Sequence, residues 1–577
     1  MTTDTPIVII GAGIVGAATA RALQRAGHTV TLLDSAEPGQ ATSFGNAGYL
    51  SVDSLIPLAR MATLKKVPKM LMDRDGPLTL HRPSLPALLP WMARFAMASM
   101  SNAEVEKGKA CFKPLMLEAD IAWKAEIQSS GLGELFRTKG CLYVYESEQA
   151  FQDTDEMRGL QQGKGTEFEI VDGNRARELA PGLSQSVVRG IYYPNNTHSI
   201  DPHKVVTTLA ERFASEGGTI LRGRVRSFLR EGDKVTAVRL TGSDLPASAV
   251  VITAGRASGE LTRLLGFNAP LVAERGYHVM VAPDNMQFDL PVSPPERGLF
   301  FTPMAEGLRI AGTVELAAPH QPPSWHRADL LVKHLKEIFP GVGGAETSRW
   351  IGERPTLPDY RPAIGRAPRW ANVYCGYGHQ HLGLTLATAT GRLIARQMAG
   401  EALPAVPKDS GAVLQQRLAV GFQPGLRRRH RAVAQALGQR PEARAVVHVH
   451  EMGDLVRHQI VQHLGRREHQ APREGQAAVG AAAAPARAAV AHGDALGAAL
   501  DPPRLGLDQQ RQAFLHLGRQ PVAQAARQML GAARDMDFAA LDPDGAPRIR
   551  SVTHPVRPAE DGQLGAMFEG TSRRQAF

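Results

Sequence analysis

The apolar positions of this chain change period several times, and each change marks a different kind of element. Residues 7–10, IVII, form a continuous apolar run of the kind buried in a parallel sheet; GAGIVG follows at once, an alanine-rich helical pattern runs to Gly27, and VTLLD is apolar again. Residues 51–140 read as mostly helical, punctuated by Pro57, Pro68, Pro77 and Pro83. From Cys141 short strands take over, in CLYVYE, EFEIV and RGIYYP. DPHKVVTTLAERFASEGG, residues 201–218, is a capped amphipathic helix ending in glycines, and TILRGRVRSFLREGDKVTAVRL after it alternates as antiparallel strands do. SAVVITAGRAS returns to a buried strand with a small-residue turn, residues 270–345 alternate again, and residues 372–400 run strand, glycine-histidine turn, helix.

The first of these patterns carries candidate chemistry. Gly11 permits a tight turn, Gly13 lets a pyrophosphate approach the backbone, and Gly16 lets helix and strand pack closely, with Ile14 and Val15 opening the helix whose N-terminus faces the phosphates. Asp34 ends the next strand, where with Ser35 it can meet ribose hydroxyls. A dinucleotide site is expected, and the turn alone leaves NAD and FAD both open. A glycine-rich turn without ligand is the bland alternative.

Composition narrows the class. A length of 577 residues with 43% hydrophobic and 21% charged residues describes a globular protein with a large core. The net charge of +10 suggests nucleic acid until it is divided: about seven of those charges lie beyond residue 409. The nearly neutral body implies no nucleic-acid partner. Cys111, Cys141 and Cys375 are too scattered for a disulfide framework or metal cage, which fits a reducing, cytoplasmic compartment. A strand that begins near residue 6 leaves no room for a signal peptide. The stretch LPALLPWMARFAMASM, residues 85–100, contains Pro90 and Arg94 and is too short to span a bilayer. It is expected to be a helix packed on its own domain, with a peripheral contact on the inner face of the cell membrane as the alternative.

Residues 410–577 contain no lysine, cysteine, tryptophan or tyrosine, and alanine, arginine, glutamine and histidine dominate them. Such a composition offers little to offset chain ordering, so this tail is expected to be disordered or loosely helical; a shifted reading frame would give such a text. His448, His450 and His458 with Asp454 have workable donor spacing but no second cluster, and no metal site is expected.

Four stretches taken together carry a family resemblance: IVIIGAGIVGAATA, ATSFGNAGYLS, VVITAG and GERPTLPDYRPAIG followed by GYGHQHLGLTLATATG. In this order they resemble the FAD-dependent D-amino-acid dehydrogenase and glycine oxidase family, the D-amino-acid oxidase-like superfamily, over residues 6 to about 400. The resemblance implies an α/β fold: a Rossmann-like FAD-binding domain assembled from residues 1–90, 145–265 and 346–405, and an α+β substrate domain on an antiparallel sheet from 91–144 and 266–345. It implies that Thr42, Ser43, Asn46, Ala47 and Gly48 run beneath the pyrophosphate and ribityl chain. A strand residue near Val225 would meet the adenine, Ala254 and Gly255 would pass the cofactor backbone, and Gly378, Gly383, Leu384 and Thr385 would face the flavin pyrimidine.

The resemblance also assigns a substrate side. Arg354 matches the arginine that fixes the substrate carboxylate, against the alternative of an ion pair with Glu353 or Asp359. His379 matches the histidine of the glycine-histidine turn, and either a cofactor-facing or a structural role fits it. Phe300 falls where glycine oxidases carry a substrate-contacting tyrosine, and His381 where they carry an arginine. The implied reaction is hydride transfer from the α-carbon of a D-amino acid to flavin N5, giving an imino acid, with oxygen or a quinone-linked carrier as electron acceptor. The motifs look most like the branch acting on D-hydroxyproline or D-proline-like substrates; glycine and sarcosine oxidation, and from another class a non-catalytic dinucleotide-sensing module, are the alternatives. No cysteine lies near GERPTLPD, so the flavin is expected to be non-covalent.

Overall fold

The computed structural model describes residues 5–401. The tail and its histidines lie outside the described residues. Two sheets organise the rest. The first is six-stranded, in the order Ala363–Arg366, Val373–Tyr377, Ala249–Ile252, Ile7–Ile10, Val30–Asp34, Thr219–Arg222. Its neighbours pair in parallel except at the Ala363–Arg366 edge. Ile7–Ile10 is buried along its whole length, as a strand covered on both faces must be. The strands come from positions as distant as 7 and 377, so this nucleotide-type sheet is built from separated pieces of chain.

Helices cover it. Ile14–Arg25 buries nine residues and packs against the closing helix Gly383–Met398 and against Pro202–Ser215. The long helix Asn102–Ser130 joins this layer: Phe112, Leu115, Met116 and Ala119 share a core with Ile7, Ile9, Leu32 and Val251. That differs from the expected division, which put residues 91–144 with the second domain.

The second sheet has nine strands, running from Gly344–Thr356 through Val272–Pro283, Gly307–Leu316, Leu299–Met304 and Val292–Ser293 to Cys141–Tyr145, Arg189–Tyr193 and Glu169–Asp172, with Leu78–Leu80 beside Gly307–Leu316. Here too the expected boundaries shift, because strands at 169–193 and 344–356 belong to this sheet and not to the parallel one. Alternation along a strand says that one face is buried; it does not say which sheet supplies the neighbour. Residues 219–239 divide similarly: Thr219–Arg222 joins the parallel edge, and only Ser227–Glu231 and Lys234–Arg239 pair antiparallel, with Asp244–Pro246 as third strand.

A two-residue period gives this sheet two different faces. Tyr277, Val279, Val281, Phe301, Leu308 and Ile310 point into a core closed by Ala328, Leu331, Leu335 and Ile338 of the helix His326–Ile338. The opposite face carries Glu274, Gly276 and His278 from one strand and Arg354, Gly352 and Trp350 from the next, each directly paired. Phe300 and Ala311 continue it two strands over. The helix Leu85–Met100 does pack on its own domain, through Leu88 and Trp91 against Val272, Leu316 and Tyr360. Among the described residues no helix is long and apolar enough to cross a membrane.

Candidate cofactor and substrate site

The nucleotide turn is shaped by backbone rather than by side chains. Gly11 has φ 112°, and a Cβ there would lie 2.6 Å from the Thr253 carbonyl oxygen, so only glycine lets the turn close against the neighbouring strand. A Cβ at Gly16 would collide with the Gly11 carbonyl, which is how close helix and strand approach. The helix that follows begins at Gly13 without a side-chain cap, and its Ile14 N–H donates to Ser43 Oγ at 3.0 Å. Free N–H groups and a helix dipole thus meet at one point, together with a hydroxyl. Asp34 is fixed beside them: one carboxylate oxygen accepts from Ala12 N at 2.7 Å, the other from Ala36 N at 3.0 Å and from Ser35 Oγ at 3.4 Å. Ala254 lies against Gly11, and Gly255 follows it with φ 53°.

Residues 42–48 are suspended between the two sheets. Thr42 Oγ1 donates to the Glu353 carbonyl at 2.7 Å, and the Asn46 carbonyl accepts from Arg309 Nη1 at 2.7 Å, while Asn46 Oδ1 accepts from Gly48 N at 2.8 Å. Ala47 sits inside that hydrogen-bonded turn. Arg309 is buried, which pushes its pKa down to about 10. Val225 is not on a strand: it lies in the link between Thr219–Arg222 and Ser227–Glu231, half-buried against the cluster containing Leu33.

The closing helix presents a second uncapped N-terminus. Gly383, Leu384 and Thr385 form its first turn, preceded by Leu382 as a cap with no side-chain hydrogen bond. The Thr385 hydroxyl is taken by Ser51 N at 3.0 Å, and Trp123 Nε1 holds the Leu384 carbonyl at 2.9 Å, so this turn too can offer a ligand only backbone. Gly378 turns with φ 81° just before it. His379 was expected in either a cofactor-facing or a structural role, and its contacts favour the second. Its ring is buried and its Nε2 meets Thr390 Oγ1 at 2.9 Å, within the closing helix; the imidazole braces the turn instead of facing a cofactor. Burial pushes its pKa down to about 3, so it is neutral.

Arg354 stands half-buried on the face of the second sheet opposite its core. Its guanidinium leans across the neighbouring strand over Gly276, where any Cβ would collide with it, and Nη1 donates to the Thr313 carbonyl at 3.0 Å. Neither suspected acid holds it: Glu353 pairs with Arg256 at 2.5 Å, and Asp359 with Arg361 at 2.8 Å. Beside it is His381, whose pKa is pushed down to about 4 by surrounding protein and by Arg354. Phe300 stacks on Tyr49 at 5.3 Å and meets Tyr143 edge-on at 5.9 Å, forming an aromatic wall in place of a polar anchor.

Two residues near Arg354 escaped the sequence reading. Glu274 is its direct cross-strand partner, and Tyr360 donates its hydroxyl to Glu274. Thr313, Tyr360 and Gln380 all have positive φ, at 55°, 56° and 49°. Each is hydrogen-bonded into this group, since the Gln380 amide donates to the Tyr360 carbonyl. Backbone strain in non-glycine residues persists only where surroundings enforce it, and it gathers at functional sites.

A parallel sheet with a glycine turn, two helix N-termini without side-chain caps and a second sheet presenting an arginine point to a dinucleotide-dependent oxidoreductase. The chain belongs to the DAO family of FAD-dependent oxidoreductases, whose model matches residues 6–397. It is 33% identical over 407 residues to a D-amino-acid oxidase of Bradyrhizobium diazoefficiens, covering 70% of this chain and 96% of the relative. It is 32% identical over 416 residues to a D-amino acid dehydrogenase of Paramagnetospirillum magneticum, covering 68% and 95%. In fold it is similar to glycine oxidase from Bacillus cereus, with a TM-score of 0.53 at 20% identity over 69% of this chain and 96% of the other. L-proline dehydrogenase from P. horikoshii gives 0.55 at 18% identity, covering 70% and 95%. FAD is therefore the cofactor. The helix N-termini at Gly13 and Leu382, which lack side-chain caps, and the glycine turn at Gly11 fit its anionic groups and would hold them.

Proposed function

We propose that this protein oxidises the Cα–N bond of a D-amino acid, with a D-hydroxyproline or D-proline-like compound as the leading substrate, to an imino acid. The names of its relatives support the substrate class. One observation carries the reading: Arg354, held over Gly276, has one backbone acceptor and no carboxylate partner within ion-pair distance among the described residues.

Bound FAD supplies the acceptor for the hydride. The protein does the rest. Arg354 takes the substrate carboxylate by a two-pronged, charge-assisted pair of hydrogen bonds, which fixes the direction of the Cα–H bond. Phe300, Tyr49 and Tyr143 pack the side chain and exclude water. The first turn of the closing helix offers N–H groups to negative charge developing on the cofactor side. No general base is required once the amine is neutral. All three cysteines are buried, at positions 111, 141 and 375, which supports a non-covalent flavin.

The test is anaerobic mixing of the yellow protein with D- and L-amino acids, including cis-4-hydroxy-D-proline, glycine and sarcosine. Bleaching by cis-4-hydroxy-D-proline or another D-amino acid supports the reading; bleaching by glycine or sarcosine alone turns it to the oxidase alternative, and a colourless protein that binds NAD removes catalysis altogether. For the electron acceptor we place the protein in the cytoplasm, in peripheral contact with the membrane. The support is the helix Met61–Met72, which buries no residue: Met72 is 82% exposed, Met61 and Leu71 38%, among Lys65, Lys66 and Lys69. Sedimentation with phosphatidylglycerol but not phosphatidylcholine vesicles is the expected outcome, and no sedimentation with either removes the contact.

A further inference from the structure

We propose that Glu274 is the standing counter-charge of Arg354, and that it makes the site choose ligands carrying a cationic nitrogen over simple carboxylates. The proposal rests on Arg354 being the carboxylate anchor, and adds what sets its preference. Glu274 and Arg354 are paired across adjacent strands on the face of the sheet opposite its core, where Cβ atoms stand about 5 Å apart. Arg354 leans away over Gly276 toward Thr313, so the two charges are neighbours without being locked in an ion pair.

Glu274 is only 3% exposed, so it is no ligand of the substrate and acts through the field it sets up around Arg354. The groups that face it are few. Arg354 and Thr356 approach from the Gly344–Thr356 strand, and Tyr360 donates its hydroxyl from the segment beyond. Across the other edge stands the apolar Leu316, and Trp91 and Phe95 close the cluster around Tyr360. Burial pushes the Glu274 carboxyl above the usual range while Tyr360 and Arg354 pull it back. His381 is the other titratable group beside Arg354.

The consequence follows from charge. An anion without compensating charge must share Arg354 with Glu274 and binds weakly unless Glu274 takes up a proton. An amino acid zwitterion brings its own positive charge and is not penalised.

The probe is acetate, titrated into the oxidised holoenzyme and followed by the flavin spectrum, beside KM for the amino acid that bleaches it. Glu274→Gln keeps shape and removes charge: at pH 8 acetate should bind about five- to tenfold tighter, with KM for the amino acid changed less than twofold. As pH falls, wild-type affinity should converge on that of the variant, because a protonated Glu274 resembles glutamine; any dependence common to both belongs to His381 or to acetate. Tyr360→Phe removes a hydrogen bond that holds the Glu274 pKa down, so it should move the pH at which acetate tightens upward without changing the affinity reached at low pH. If Glu274→Gln does not retain flavin, the wild-type profile and Tyr360→Phe still decide. Equal acetate affinity in wild type and Glu274→Gln at every pH, a flat wild-type profile, or a Tyr360→Phe profile displaced to lower pH overturns the proposal. Acetate binding that survives Arg354→Ala overturns the anchor instead.

Discussion

The two sheets offer a ligand opposite kinds of contact. Around Gly11 and Gly383 the parallel sheet offers backbone N–H groups, helix ends and close approach, and side chains serve mainly to brace: Asp34 holds Ala12, Thr385 holds Ser51 and His379 holds Thr390. On the antiparallel sheet the proposed work falls to side chains on one face, Arg354, Glu274 and Phe300, brought together from three strands within residues 272–356. A backbone site can lose almost any single side chain and keep its shape. A side-chain site can lose its function while the fold and the cofactor remain. That contrast predicts two separable kinds of damage.

The largest effect is expected on the backbone side. Gly11→Val forces a side chain into the Thr253 carbonyl at a positive φ, so flavin should be lost almost completely from the purified protein, as read by the absorbance of released chromophore. A yellow Gly11→Val protein with full flavin content would break the comparison. Next comes acid sensitivity of the braces. His379 has its pKa pushed from 6.5 to about 3 in the fold, so the unfolded chain binds the extra proton between those values, and stability falls as pH drops below about 6.5. Each unit costs on the order of 1.4 kcal/mol for such a group. Thermal melts between pH 7 and 5 should show this slope, and His379→Asn should be less stable at pH 7 but show a shallower slope; an unchanged slope would mean that the ring is not held neutral. The smallest effect belongs to the aromatic wall: Phe300→Tyr should change KM by about two- to fivefold with flavin content untouched. A loss of flavin there would show that the wall serves the cofactor after all.

The same contrast explains what the sequence could disclose. A glycine turn is local: Gly11, Gly13, Gly16 and Asp34 lie within one strand–helix–strand unit, and their spacing alone points to a dinucleotide. Sheet membership is not local. Strands such as Arg189–Tyr193 and Gly344–Thr356 show their period but not their partners, so the domain boundaries drawn through them were displaced. Glu274 was missed for the same reason. Its signal was present, as two charges, Glu274 and Arg275, inside the buried run LVAERGYHVMVAP, yet only the register with Gly344–Thr356 reveals that one of them faces Arg354. His379 was ambiguous because the hydroxyl that fixes its ring is eleven residues away, at Thr390.

The most direct test of the two-sheet account is anaerobic flavin reduction in wild type and Arg354→Ala, with flavin content measured on the same samples. The account predicts equal flavin in both and a rate of bleaching by a D-amino acid that drops on the order of a hundred- to a thousandfold in the variant, the worth of a lost charge-assisted pair of hydrogen bonds. Bleaching of Arg354→Ala at the wild-type rate would contradict it.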